Sequence, residues 1–182
     1  MKTYITSDLH WGHKNIMNFC PVSRARFRND LDYMNEAMVK EWNDLIEPED
    51  LVYILGDVAF LPAQKAVEYM RRLNGHKILV KGNHDRELVT SEEFRACFKE
   101  IAPDYFLTHR GTYIHMYHFP IVEWDRCHRG SVHLYGHLHS SASGMEKMRA
   151  RNVGFDCTGQ VVSRLDDIVK DALTGEIKKH HV

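Results

Sequence analysis

The run Leu51-Val52-Tyr53-Ile54-Leu55 is apolar at every position. A strand with no apolar/polar alternation is buried on both faces, so it belongs inside a layered α/β fold rather than at a solvated sheet surface. The run ends in Gly56-Asp57, and a carboxylate directly after a buried strand is costly unless it binds something. Its two oxygens can bridge two cations. A second strand-type run, Lys77-Ile78-Leu79-Val80, ends in Lys81-Gly82-Asn83-His84-Asp85. Glycine lets the backbone turn sharply there. The residues that follow offer an amide oxygen, an imidazole and a carboxylate at the C-terminal end of a strand, where open α/β sheets place their ligands.

The same arrangement opens the chain. Thr3-Tyr4-Ile5-Thr6 reads as a strand that delivers Ser7-Asp8-Leu9-His10 to its end. Side chains two apart share a face, so Asp8 and His10 can grip one metal ion. His13 can reach a bound phosphate or serve in packing. Residues 15–29 show no clear period and carry Arg24, Arg26 and Arg28 around Phe27. They read either as a solvated loop or as a clamp whose guanidinium forks fit the oxygens of a substrate phosphate. Asn29 is placed to cap a helix with Leu31, Met34, Met38, Trp42 and Leu45 on its core face. Pro62 suits the first turn of a second helix carrying Ala66, Val67, Met70 and Leu73, closed by Asn74-Gly75. Together these elements form a βαβαβ half-sheet with metal-type residues after each strand.

Downstream, Ser91 starts a helix whose face carries Phe94, Cys97, Phe98 and Ile101, ended by Pro103. Tyr105-Phe106-Leu107-Thr108 and residues 112–117 form a hairpin around Arg110-Gly111, with His118 at its exit. His109 and His115 read as surface or pairing residues of that hairpin. Val132-His133-Leu134-Tyr135 is a strand ending in Gly136-His137-Leu138-His139, a second compact pair of imidazoles. Asn152-Val153-Gly154-Phe155 reads as a short strand, and Ser163 as the cap of a helix packing Leu165, Ile168, Val169 and Ala172. His180-His181 is read as a frayed tail and kept out of the metal set. With no repeat, linker or low-complexity tract, residues 1–182 read as a single domain.

Composition narrows the function. Thirteen histidines among 182 residues is a marked excess, whereas Lys+Arg 24 against Asp+Glu 25 gives no broad basic face, so an extended nucleic-acid surface is not expected. Cys20, Cys97, Cys127 and Cys157 are scattered without a Cys-x-x-Cys pair, which suits reduced thiols. No apolar run approaches signal-peptide or bilayer-spanning character, so the expectation is a cytoplasmic protein without a membrane partner.

Taken in order, Asp8-x-His10, Gly56-Asp57, Gly82-Asn83-His84-Asp85, His118 and Gly136-His137-x-His139 resemble the calcineurin-like metallophosphoesterase superfamily. The opening residues 7–13 are similar to those of its short, uncapped bacterial and phage members. The resemblance covers about residues 3–140 and implies a four-layer α/β/β/α sandwich of two mixed sheets flanked by helices. It implies that Asp8, His10, Asp57 and His139 hold one metal and that Asp57, Asn83, His118 and His137 hold a second. Asp57 would bridge the two, and His84 would be the catalytic histidine. Many members carry Gly-Asp-x-x-Asp, whose second Asp supports that histidine. Here Phe60 stands at the position, so either another group orients His84, Asp85 being one candidate, or His84 acts with less support.

Imidazole, carboxylate and amide oxygen donors suit Mn²⁺ first, with Fe, Zn, Ni or Co as alternatives. Two divalent ions, two carboxylates and a hydroxide sum to about +1 (+4 −2 −1). Such a site attracts phosphate on a nearly neutral chain. The expected activity is hydrolysis of a small or nucleotide-like phosphodiester. Phosphomonoesterase and metal-dependent nuclease are the alternatives, and a non-catalytic scaffold comes last because every ligand the resemblance requires is present.

Overall fold

The computed structural model describes residues 1–179, so His180-His181 lies outside the described residues. In chain order the elements begin with β1 (Thr3–Thr6), the short helices α1 (Ile16–Phe19) and α2 (Pro21–Arg24), α3 (Leu31–Leu45), β2 (Leu51–Ile54), α4 (Ala63–Arg72) and β3 (His76–Val80). They continue through α5 (Glu92–Arg95), β4 (Glu100–Ala102), β5 (Asp104–His109), β6 (Thr112–Tyr117), β7 (Val132–Tyr135), β8 (Ala150–Asn152), α6 (Phe155–Thr158), β9 (Ser163–Arg164) and α7 (Leu165–Ala172).

Two mixed sheets result. One has the order β4-β3-β2-β1-β9, parallel from β4 to β1 and antiparallel at β9. The other has the order β5-β6-β7-β8, antiparallel between β5 and β6 and parallel beyond. The expected βαβαβ half-sheet is β1-α3-β2-α4-β3. Successive side chains on its strands point to opposite faces. Tyr4, Val52, Ile54 and Leu79 join Met34, Met38 and Trp42 of α3 and Val67 and Met70 of α4 in one core. Ile5, Tyr53, Leu55, Ile78 and Val80 meet Ile114, Met116, Val132 and Leu134 of the second sheet in another, with Leu165 and Val169 of α7. Burial on both sides is the reason β2 is apolar without alternation. The outer face of the second sheet is covered by Trp124, Cys127 and Met145 from connecting segments, packed with Tyr135 and Ala150. Among the described residues no helix is long and apolar enough to cross a membrane.

Local expectations fail where tertiary contacts outweigh local pattern. Residues 15–29 are not an irregular loop, since α1, α2 and a 3-10 turn at Ala25–Phe27 occupy most of them. Asp30, not Asn29, caps α3, accepting a hydrogen bond from the Tyr33 N–H. The helix expected through Ile101 stops at Arg95, because residues 100–102 pair in parallel with the open edge of β3. Ser91 does cap α5, its hydroxyl accepting from the Phe94 N–H. Residues 152–155 do not form a strand of their own, as β8 ends at Asn152 and Phe155 begins α6. Ser163 does not cap α7. It pairs with Ile5 across β1 and β9.

Candidate metal centre

The parallel register of β1, β2 and β3 carries their C-terminal loops to one edge. The loops after β1 and β2 remain joined beyond the sheet, where the N–H groups of Asp8, His10 and Trp11 donate to the carbonyls of Gly56, Asp57 and Val58, each at 3.1 Å. This brings Asp8 and His10 beside Asp57. The second sheet faces the same edge, so the loops after β6 and β7 supply His118, His137 and His139.

The side chains gather into two groups. Ligand atoms of Asp8, His10 and His139 lie within 4.8 Å of one another, and so do those of Asp57, His118 and His137. Within the second group Asp57 Oδ2 is 3.5 Å from His118 Nε2, and it also faces the first group, 3.9 Å from His10 Nε2. Asn83 Oδ1 is 3.0 Å from His118 Nε2. Asp8, His10, Asp57, His137 and His139 all adopt left-handed backbone, with φ between 50° and 70°. That conformation costs about 1–3 kcal/mol per non-glycine residue, and its concentration here marks a site where the fold imposes geometry on its side chains. Two glycines make the crowding possible. A Cβ on Gly82 would fall on Asp57 Oδ1, and one on Gly136 would collide with Ser7 Oγ and approach Asp8 Oδ2 at 2.5 Å.

Asp85 does not orient His84. It is fully buried, and its carboxylate accepts the N–H groups of Asp57 at 2.9 Å, Val58 at 2.9 Å and Gly82 at 2.8 Å. It therefore clamps the loops after β2 and β3 together. His84 is held through its own backbone N–H, which donates to Asp57 Oδ1 at 3.0 Å, and its exposed ring lies beside Phe60, with centroids 4.4 Å apart. Phe60 stacks on His13 at 4.1 Å and on His10 at 5.1 Å. Where many members have a carboxylate, this chain has an aromatic wall joining three imidazoles. His13 thus stands at the rim of the site.

Of the three arginines of the 15–29 segment, Arg24 is turned away from any phosphate. Arg24 is buried and paired with Asp156 (Nε to Oδ1, 2.8 Å), while its Nη2 donates to the Asp8 carbonyl at 2.8 Å. Arg26 pairs with Glu41 of α3, and the Arg28 guanidinium lies over Tyr33. Sequence reading missed Asp156 altogether. It lies on α6, just past the residues that carry the resemblance, and its role appears only through the tertiary contact with His139, whose Nδ1 is 2.8 Å from Asp156 Oδ2. Nδ1 is the donor of that pair, so Nε2 is the nitrogen left for a metal once it gives up its own proton. His118 Nδ1 donates to the Leu55 carbonyl at 2.6 Å and is fixed in the same sense.

Burial and charge set the protonation of the bare site. Burial pushes the Asp8 carboxyl up to about 6, against the pull of His118 and His139. Burial also drives the His10 imidazole down to about 3 despite the nearby Asp57 carboxylate. Burial would raise Asp57, but the hydrogen bond and charge of His118 outweigh it and hold the carboxyl near 2. His139 is raised to about 10, chiefly by its hydrogen bond with Asp156 and then by one with Cys20. Both ring nitrogens of His10 are buried without a hydrogen-bond partner. An uncharged imidazole with two orphaned nitrogens beside a buried carboxylate fits a cation, which would occupy one nitrogen and favour ionised Asp8. The donor set of nitrogen and oxygen suits transition-metal ions.

Residues 1–163 match the family of the calcineurin-like phosphoesterase superfamily domain. In sequence, the chain is similar to an uncharacterised protein of Methanocaldococcus jannaschii, 36% identical over 96 residues, a match covering 52% of this chain and 51% of that protein. The match thus spans about half the length of that relative. The gene 66 protein of Mycobacterium phage L5 is 26% identical over 191 residues, covering 89% of this chain and 90% of its own. In fold, the chain is similar to a protein of unknown function from Aquifex aeolicus, with a TM-score of 0.71 and 24% identity over 93% of this chain and 98% of that one.

Proposed function

This chain belongs to the calcineurin-like phosphoesterase superfamily, a family of metal-dependent phosphoesterases, and we propose that it hydrolyses phosphodiesters with two divalent ions, Mn²⁺ foremost. The observation that carries this reading is the pair of adjoining ligand groups, with Asp57 of one facing His10 of the other. Asp8, His10, Asp57 and His139 would hold one ion, and Asp57, Asn83, His118 and His137 the other. When bound, the ions supply Lewis acidity toward phosphoryl oxygens and lower the pKa of water into the neutral range.

The chain's own groups do the rest. His84 is exposed at the site, with Nε2 4.0 Å from Asp57 Oδ2, and from there it can give a proton to the leaving oxygen. Phe60 walls one side of its ring, with His13 stacked on Phe60 in turn. Open clefts flank Asn83 and His84 on both sides, one lined by Phe60, Leu61 and Glu87, the other by Lys81, Tyr117 and Phe119. Two clefts accommodate the two ester arms of a diester, where a monoester needs one. We read residues 1–182 as one phosphoesterase domain, and its four scattered cysteines, with no Cys-x-x-Cys pair, as suiting the reducing cytoplasm.

The decisive comparison is kcat/KM for an aryl phosphomonoester and its bis-aryl diester, with Mn²⁺ at neutral pH after metal removal. A diester preference is expected, and a monoester preference of about tenfold or more would overturn it. His84→Ala should keep both metals and lower kcat by roughly 10²–10⁴, with a smaller loss for good leaving groups.

A further inference from the structure

The groove on the Phe119 side of Asn83 combines two kinds of lining. Lys81 and Arg86 present exposed cations, and neither pairs with a carboxylate among the described residues. No acidic side chain lines this groove, whereas Glu87 lines the cleft on the His84 side. The rest of the wall is aromatic and apolar: Tyr117 and Phe119, with Val89 and Pro103. The Phe119 ring meets His137 at 4.6 Å and His118 at 4.9 Å, so it adjoins the second ligand group directly. Both contacts are edge-to-face, and Tyr117 is tilted at 55° to it, 5.6 Å away. No ring lies parallel on Phe119 among the described residues.

We propose that this groove is a nucleotide subsite, in which a base stacks on Phe119 beside Tyr117 while Lys81 and Arg86 hold a second phosphate of the substrate. The proposal rests on the phosphoesterase reading of the adjoining centre and names its substrate class. Every base offers a π-face, so an aromatic platform binds bases without demanding one sequence. Unpaired cations flanking a phosphoryl-binding centre recognise another phosphate along the same chain. A planar ring and two phosphates within one groove's length describe a nucleotide diester that carries a further terminal phosphate.

The test is calorimetric binding to the full-length chain in chelator, where turnover is absent, using the phosphorylated dinucleotide pApA, the dinucleotide ApA and ribose 5-phosphate. Binding of pApA should exceed that of ApA by about tenfold, the scale of one charge-assisted contact. pApA should exceed ribose 5-phosphate, which keeps a terminal phosphate and lacks the base, by at least roughly the five- to 150-fold range of one base–aromatic stack. Phe119→Ala should erase the advantage of the base, and Lys81→Ala with Arg86→Ala the advantage of the terminal phosphate. Equal binding of the three probes, or advantages that survive in the variants, would overturn the subsite. A longer oligoadenylate binding no more tightly than pApA assigns the groove to small nucleotides, and tighter binding assigns it to a strand end. Base and phosphate dependence supports the proposal in either case. Hydrolysis of methyl p-nitrophenyl phosphate with Mn²⁺ is measured separately on the wild type. Its absence would overturn the phosphoesterase reading and the subsite's role in substrate binding with it, whereas hydrolysis with equal probe binding overturns the subsite alone.

Discussion

Asp57 belongs to one ligand group and faces the other, and the proposed bridge rests on it. Its Oδ1 accepts the His84 N–H while its Oδ2 faces His10, His118 and His84. Asp57→Asn should therefore lower metal content at both positions, and full occupancy of two ions by elemental analysis would defeat the bridging assignment. Asp156 acts at one remove. By holding His139 Nδ1 it sets which nitrogen is free, and outer partners of this kind are worth about 10–100-fold in metal affinity. Asp156→Asn should weaken one of the two ions by that factor and leave the other near its wild-type affinity, which a competition titration with a metal indicator resolves. Equal weakening of both would show that Asp156 supports the fold rather than His139. Asp8, His10 and Asp57 were legible from their place after strands. Arg24 was not, because a guanidinium at one sequence position serves equally as a clamp for phosphate or as a buried partner for Asp156, and only burial decides between them.

At the scale of one element, β7 carries a titration that the catalytic reading does not use. His133 is buried; its Nδ1 lies 3.2 Å from the His115 carbonyl, and its Nε2 accepts the Ile121 N–H at 3.2 Å. A proton on Nε2 would face that N–H, and burial holds the imidazole down at about 4. The unfolded chain takes up this proton near 6.5, so the contribution is intact above that pH and is lost as pH falls toward 4. By pH 5 the loss is about 2 kcal/mol relative to pH 7. Denaturant midpoints at both pH values, in chelator, should show that drop, and His133→Gln should flatten it. An unchanged pH dependence in the variant would assign the effect elsewhere, His115 being the first candidate, since burial depresses it too.

At the scale of the whole molecule, the centre joins the two sheets. Asp8, His10, Asp57 and Asn83 extend from the ends of β1, β2 and β3, while His118, His137 and His139 extend from β6 and β7. An ion bound across that seam stabilises the folded chain alone, because the unfolded chain does not bring these donors together. Mn²⁺ at about a hundred times its Kd should add about 2.7 kcal/mol of stability. For a chain of this size that corresponds to a rise of about 5–10 °C in Tm. Chelator should reverse the rise, and Asp57→Asn should reduce it. A Tm indifferent to metal in the wild type would mean that the donors do not share an ion across the seam.

The β1-α3-β2-α4-β3 order and the two-sided burial of β2 were determined by sequence alone, which also singled out the donors that follow the strands as candidate ligands. Each depends on local chemistry: uniform apolarity, helical spacing, and polar donors placed directly after strands. The tertiary structure decided what depends on residues far apart in the chain. Pairing with the edge of β3 turned residues 100–102 from helix into strand, and pairing with Ile5 took Ser163 away from a cap. Packing turned Arg24 inward and brought Asp156 to His139 across an interval of 17 residues, while Asp85 was drawn from His84 to three backbone amides. A side chain's type limits what it can bind, but burial and the neighbours that folding supplies determine which of those partners it meets.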